Sequence, residues 1–232
     1  MLTQPRSEYR CLLPDYGNSR EQTGGKPVAH ARLVEPQGAG PGVDAGGRGP
    51  VAEYPKEFER EMTLRDGARV RIRPVLPEDE PRLVALYGRL SPRTAHQRFF
   101  TVWKQLPSSW AHYFANVDYR RRLALVAERD LEWRPELIGV ARYDASAEDT
   151  AEVATVVQDY WQGRGLGRLL LEELLRAGEA NGIRRFSADV LADNDRALRL
   201  LARVADLQER NTEDGVTTLR FTRRRAPPEG SS

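Results

Sequence analysis

Residues 162–168 read Gln-Gly-Arg-Gly-Leu-Gly-Arg, with three glycines at alternate positions between a β-branched run and a leucine-rich one. A glycine-rich turn from strand into helix exposes successive backbone N–H groups at the positive end of the helix dipole. That chemistry is phosphate binding, to which Arg164 and Arg168 can add charge-assisted contacts. Two familiar phosphate patterns fail on spacing. A P-loop ends Gly-Lys-Ser/Thr, whereas Gly167 is followed by Arg168-Leu169. A dinucleotide fingerprint, Gly-x-Gly-x-x-Gly, ends on Leu166 if counted from Gly163 and on Leu170 if counted from Gly165.

The elements that position this loop follow from local pattern. Glu152 to Val157 is β-branched and alternating, a buried strand. Leu166, Leu169, Leu170, Leu174, Ala177 and Ala180 recur at helical spacing, and Asn181-Gly182 is a helix stop. Upstream, Asp66-Gly67 predicts a hairpin, and Pro77-Glu-Asp-Glu80 opens a helix through Leu83, Leu86, Tyr87 and Leu90. Ser91 caps a second helix with Pro92 at its first position, and a short third helix falls between Trp103 and Tyr113. Strands are predicted at Leu123–Ala127 and Leu137–Arg142, joined by a hairpin loop holding Glu132 to Pro135. Downstream come a strand at Arg184–Val190, a helix at Asp195–Val204 with Asp193 or Asn194 as N-cap, and a last strand at Val216–Phe221 after a turn at Gly215. The order β–α–α–β–β–β–α–β–α–β is a mixed α+β layout rather than an alternating doubly wound one.

Composition narrows the function. Residues 1–57 are dense in glycine and proline and too poor in apolar residues to offset ordering entropy, so they form a disordered tail. A folded domain spans 58–223, and 224–232 is a second polar tail. A net charge of +2 creates no field that would draw the chain to nucleic acid or membrane. One cysteine, Cys11, excludes an internal disulfide or a multi-thiolate site, and three histidines show no ligand spacing, so no metal is expected. Without a long apolar run or signal peptide, the expectation is a cytoplasmic protein.

Gln162-x-x-Gly165-x-Gly167, with Val157-x-Asp159 before it and Asn194 after it, resembles the acyl-CoA pyrophosphate loop of the GNAT superfamily of N-acetyltransferases. Ile72-Arg-Pro74 followed by Glu78-Asp79 is similar to the way many GNAT domains enter their first strand and helix. Leu90-Ser91 with Arg98-Phe99-Phe100, then Asp118-Tyr119 and Ile138 to Tyr143, resembles more narrowly the acetyltransferase domain of bacterial Pat-type protein lysine acetyltransferases. The resemblance covers residues 63–222. Pat-type enzymes often carry a fused nucleotide-binding regulatory domain, and no stretch here is patterned to form one.

The resemblance implies a GNAT fold, a mixed, mostly antiparallel central sheet flanked by helices, with acetyl-CoA as co-substrate. Backbone amides from Gly163 through Arg164, Gly165, Leu166 and Gly167 to Arg168 would face the pyrophosphate. Backbone groups of Val156 and Val157 would pair with the pantetheine arm, the Val157 N–H would polarise the thioester carbonyl, and Asn194 would bond the arm. Glu152, in an Ala-Glu-x-Ala context at the head of the strand, is the candidate general base. The implied acceptor is an amine, foremost a protein lysine, by direct transfer. One departure stands out: many relatives place a tyrosine in the helix after the asparagine, where this chain has Leu200 and Leu201. The alternatives are a small-molecule amine acetyltransferase and a non-catalytic acyl-CoA-binding sensor; the missing tyrosine favours the sensor, and Glu152 opposes it.

Overall fold

A computed structural model describes residues 53–129 and 134–225; the tails expected before residue 53 and after 225, and most of the loop holding Trp133, lie outside the described residues. In chain order the elements are β1 (Arg60–Thr63), β2 (Arg69–Pro74), α1 (Glu80–Tyr87), α2 (Pro92–Phe99), α3 (Ser108–Ala115), β3 (Arg122–Arg129), β4 (Glu136–Ala145), β5 (Thr150–Val157), α4 (Leu166–Ala180), β6 (Arg185–Leu191), α5 (Asp195–Val204), β7 (Ala205–Glu213) and β8 (Val216–Arg223). Tyr54 and Phe58 already belong to the fold: Phe58 is buried, and the Tyr54 ring meets Tyr119 edge-on at 5.9 Å.

The eight strands form one sheet in the order β1-β2-β3-β4-β5-β6-β8-β7, antiparallel throughout except for β5–β6. Alternation along β3 divides the core. Leu123, Leu125 and Ala127 pack on one face with Leu170, Leu171 and Leu174 of α4, while Ala124 and Val126 pack on the other with Leu83 and Leu86 of α1. Beyond them, Tyr87, Phe99, Trp103, Trp110 and Phe114 build an aromatic cluster that holds α1, α2 and α3 together. Gly178 lets α4 approach β6, since a Cβ there would lie 2.9 Å from the Phe186 ring.

The entry into α1 explains the Ile72-Arg-Pro74 and Asp79 pattern. The Arg73 guanidinium, buried, forks onto Asp79 at 2.7 and 2.8 Å and reaches Glu128 at 3.0 Å. Arg82 closes the network on the same two carboxylates. Burial alone would raise the Asp79 carboxyl, but the Arg73 bonds and the Leu76 N–H prevail and hold it below the usual carboxylate range.

Two expectations need correction. The first helix ends at Tyr87 rather than running through Leu90, because the Leu90 N–H turns back to the Tyr87 carbonyl and the chain re-caps at Ser91. An additional strand, β7, occupies 205–213, where no strand is predicted. Its burial is confined to Ala205, so no alternation marks it, and it is held by its ladder to β8.

Candidate active site

The site arises where β5 and β6 part. Their parallel ladder has only three pairs, Thr150–Arg185, Ala151–Phe186 and Glu152–Ser187. Beyond Glu152 the two strands splay, and a cleft of about 440 Å³ opens between them. On the other side, β5 stays paired with β4 through Val157. The bond from Gln158 N–H to the Ile138 carbonyl sets the alternation of that ladder. Val156 and Ala154 therefore direct their N–H and C=O at β4, and Val157 and Thr155 present theirs to the cleft. Of the two backbones expected to face the cleft, only Val157 does; Val156 lines it with its side chain, and Thr155 takes the second backbone position.

At one end lies the glycine loop. Gly163 and Gly165 adopt φ of +81° and +96°, a region open to glycine at little cost. Leu166 begins α4 with its side chain buried beneath the loop. The N–H groups of residues 163–167 have no acceptor among the described residues, whereas those of Arg168 and Leu169 turn back to the Gly165 carbonyl. Five successive free donors at the head of a 15-residue helix form an anion cradle. Gly163, Gly165, Gly167 and Arg168 line the cleft, as does Arg65 from the β1–β2 turn. Arg164 has another task. Its guanidinium pairs with Asp66 at 2.7 Å, bonds the Tyr160 carbonyl and stacks over Tyr160, so it ties the hairpin to the loop instead of lining the cleft.

Gln162 braces the middle. Its Nε2 donates to the Val157 carbonyl at 2.9 Å and to Thr94 Oγ1 at 3.2 Å, and its Oε1 accepts from Arg196. Asp159 anchors α2 to this strand end, accepting from Ser91 N–H, Ser91 Oγ and Thr94 Oγ1 at 2.6–2.9 Å. Asn194 caps α5 by accepting from the Ala197 N–H, and it also lines the cleft. Leu200 and Leu201 line it where a tyrosine would otherwise stand, and no tyrosine is among the lining residues.

At the other end is Glu152. Its side chain is exposed within the cleft, with the protein walls of that cleft around it, and it has no hydrogen-bond partner among the described residues. That enclosure, reinforced by the negative charge of Asp189, raises its pKa above the ordinary carboxylate value; Arg98 partly opposes the rise. Asp189 accepts from Thr218 Oγ1 at 2.7 Å. Asp144, the cross-strand partner of Glu152, is locked instead into ion pairs with Arg122 at 3.1 Å and Arg142 at 2.9 Å, and accepts from the Tyr113 hydroxyl. Sequence reasoning missed Arg65, Thr94 and Asp189, which belong to elements remote in the chain. Arg98 and Phe100 did carry a signal, the Arg-Phe-Phe pattern. Phe99 fills the core, and Phe100 lines the cleft with φ of +56°. Among the described residues no three His, Cys, Asp or Glu side chains gather as a metal site, and no helix is long and apolar enough to cross a membrane.

Residues 91–205 match the Acetyltransferase (GNAT) family. An acetyltransferase from Pseudomonas aeruginosa is 31% identical over 160 residues, which are 68% of this chain and 85% of that protein. Acetyltransferase Pat from Mycolicibacterium smegmatis is 32% identical over 145 residues, 62% of this chain but only 43% of that longer protein. Among solved structures, the GNAT domain of Streptomyces lividans PAT superposes with a TM-score of 0.67 at 35% identity, covering 73% of this chain and 99% of that domain. A splayed strand pair with an anion cradle at its end, and a common sequence along most of the Pseudomonas protein and the Streptomyces domain, lead to one conclusion: this chain belongs to the GNAT family of acetyltransferases.

Proposed function

We propose that this acetyltransferase moves the acetyl group of acetyl-CoA to the side-chain amine of a protein lysine, by direct transfer with Glu152 as general base. The observation that carries the reading is a single cleft with a row of free N–H groups at one end and an unpartnered, raised-pKa carboxylate at the other. The donors at 163–167 with Arg168 and Arg65 suit a pyrophosphate. The cleft-facing groups of Thr155 and Val157 extend β5 toward an amide-bearing arm, as an added strand would, and Asn194 lines the same cleft. Acetyl-CoA supplies the acetyl group in activated form, as a thioester.

A lysine ammonium has a reference pKa of about 10.4, so at neutral pH a base must remove its proton before it attacks. Glu152 suits that role because its raised pKa makes it more basic than a solvated glutamate. The Val157 N–H supports charge on the carbonyl oxygen as it develops, a contribution typically worth about 3 kcal/mol in the barrier. Leu200 and Leu201 offer no proton to the departing thiolate; the thiolate is a sufficiently good leaving group for transfer without one.

The lysine acceptor rests on the Pat-type resemblance, and a cytoplasmic location accords with that substrate. The test is an acceptor panel with radiolabelled acetyl-CoA: a lysine-rich protein extract, lysine peptides and a set of small amines. Label in protein, released only by hydrolysis of an amide, is the expected result. Label confined to small amines would overturn the acceptor, and saturable acetyl-CoA binding with no acceptor at all would leave a sensor.

A further inference from the structure

The cleft carries more positive charge than a pyrophosphate needs. Arg65 and Arg168 stand with the free N–H groups of the glycine loop, and three further arginines, Arg196, Arg199 and Arg203, line the same cleft from α5. Spacings of three and four residues set these three in a stripe about 60° wide along the helix, over a rise of about 10 Å. Leu201 and Val204 bury the side of α5 away from the stripe. The helix also abuts the loop: a Cβ at Gly167 would lie 3.6 Å from the Leu200 side chain, and Arg196 donates to Gln162 Oε1. No carboxylate holds the stripe. Arg196 has only the neutral Gln162 as a partner. Arg199 stands 3.8 Å from Asp195, and with side chains 67% and 73% exposed that pair is screened by water. Arg203 has no hydrogen bond or ion pair to any described residue, although it lines the cleft. Like charges three and four residues apart on a helix repel each other, and Arg196 lies in the first turn, where the helix dipole disfavours a cation. An anion bound along the stripe offsets both costs.

We propose that Arg199 and Arg203, with Arg196 beside them, form a phosphomonoester subsite for the 3′-phosphate of CoA, so that the enzyme distinguishes CoA from its 3′-dephospho form. The 3′-phosphate is one ribose away from the pyrophosphate and carries about two negative charges at neutral pH. The two features of the cleft then divide the anionic groups of one ligand: the loop N–H groups with Arg65 and Arg168 take the pyrophosphate, and the α5 stripe takes the monoester. Guanidinium suits the task because its planar fork meets two phosphate oxygens at once. This subsite rests on acetyl-CoA as the co-substrate of the cleft and is independent of Glu152 and of the acceptor.

The test is calorimetric and needs no turnover. CoA and 3′-dephospho-CoA are titrated into wild type, into a double variant carrying Arg199→Gln and Arg203→Gln, and into Arg168→Gln. Wild type is expected to hold CoA about tenfold more tightly or better. In the double variant that ratio should fall to near one through loss of CoA affinity alone; unchanged dephospho-CoA binding shows that the cleft is still folded. Replacement of both residues by lysine should keep part of the preference. Arg168→Gln should weaken both ligands alike and leave the ratio intact. Equal affinities in wild type, a preference that survives in the double variant, or a ratio lost in Arg168→Gln would overturn the subsite. Tight and equal binding of both ligands would remove the subsite and leave the co-substrate standing, whereas binding of neither would remove the co-substrate and the subsite with it.

Discussion

Glu152 and Asp144 are cross-strand partners on one face of the sheet, yet their surroundings drive them apart. Asp144 is surrounded by Arg122, Arg142 and Tyr113, which overcome its burial and hold its carboxyl below the usual range. Glu152 has no such partner, and its pKa rises. Under the proposed mechanism these opposed shifts divide the pair into a structural anchor, Asp144, and a base, Glu152. The stability consequence has a definite sign. A raised native pKa means that the ionised form is less favoured folded than unfolded, so Glu152 costs stability at neutral pH and ceases to do so as pH falls through its native pKa. Glu152→Gln is therefore expected to melt at or above the wild-type temperature at pH 7–8, with the advantage vanishing in acid. A lower melting temperature at neutral pH would mean that Glu152 is a supporting residue.

At the scale of elements, two anchors position the cleft. Asp159 pins the start of α2 to the end of β5, and the Arg73–Asp79–Glu128 network seats the start of α1 on β2 and β3. Breaking a buried pair from one side leaves an uncompensated charge. Asp79→Asn is expected to cost about 3–5 kcal/mol in denaturant unfolding. Because the Asp79 pKa is depressed in the native state, its stabilisation is present above the unfolded carboxylate pKa, near 4, and is lost as pH falls through the lower native value. A loss under about 1 kcal/mol would show the network to be replaceable. These anchors were partly legible in the sequence: Ser91, Pro92 and Asn194 are caps readable from residue type, and the strand-loop-helix of β5 and α4 carries its own periodicities. The partners of Arg73 and Asp159 were not legible, because Glu128 is 55 residues from Arg73 and Ser91 is 68 from Asp159. Nor was β7, whose exposed residues record no buried face.

For the whole molecule, the cleft unites two chemistries that the sequence presents far apart. Arg65, Arg168, Arg196, Arg199 and Arg203 give the cleft a largely positive lining, in which Glu152 and Asp189 are the acidic residues. The glycine loop was legible because glycine is demanded locally, by positive φ at Gly163 and Gly165. The Arg164 guanidinium shows the converse: a charge beside a phosphate loop reads as a phosphate ligand, and its pairing with Asp66, 98 residues away, has no local signal. The joint requirement of the two ends gives the most direct measurement. Steady-state acetylation of a lysine substrate and calorimetric binding of acetyl-CoA are compared for wild type, Glu152→Gln and Gly165→Glu. Glu152→Gln is expected to keep acetyl-CoA affinity within about twofold and to lose about 10²–10⁴-fold in kcat near neutral pH, recovering in part as pH rises. Gly165→Glu, which sets a negative side chain at a positive-φ position in the anion cradle, should instead lose binding. Wild-type turnover in Glu152→Gln, or undiminished acetyl-CoA affinity in Gly165→Glu, would contradict these roles.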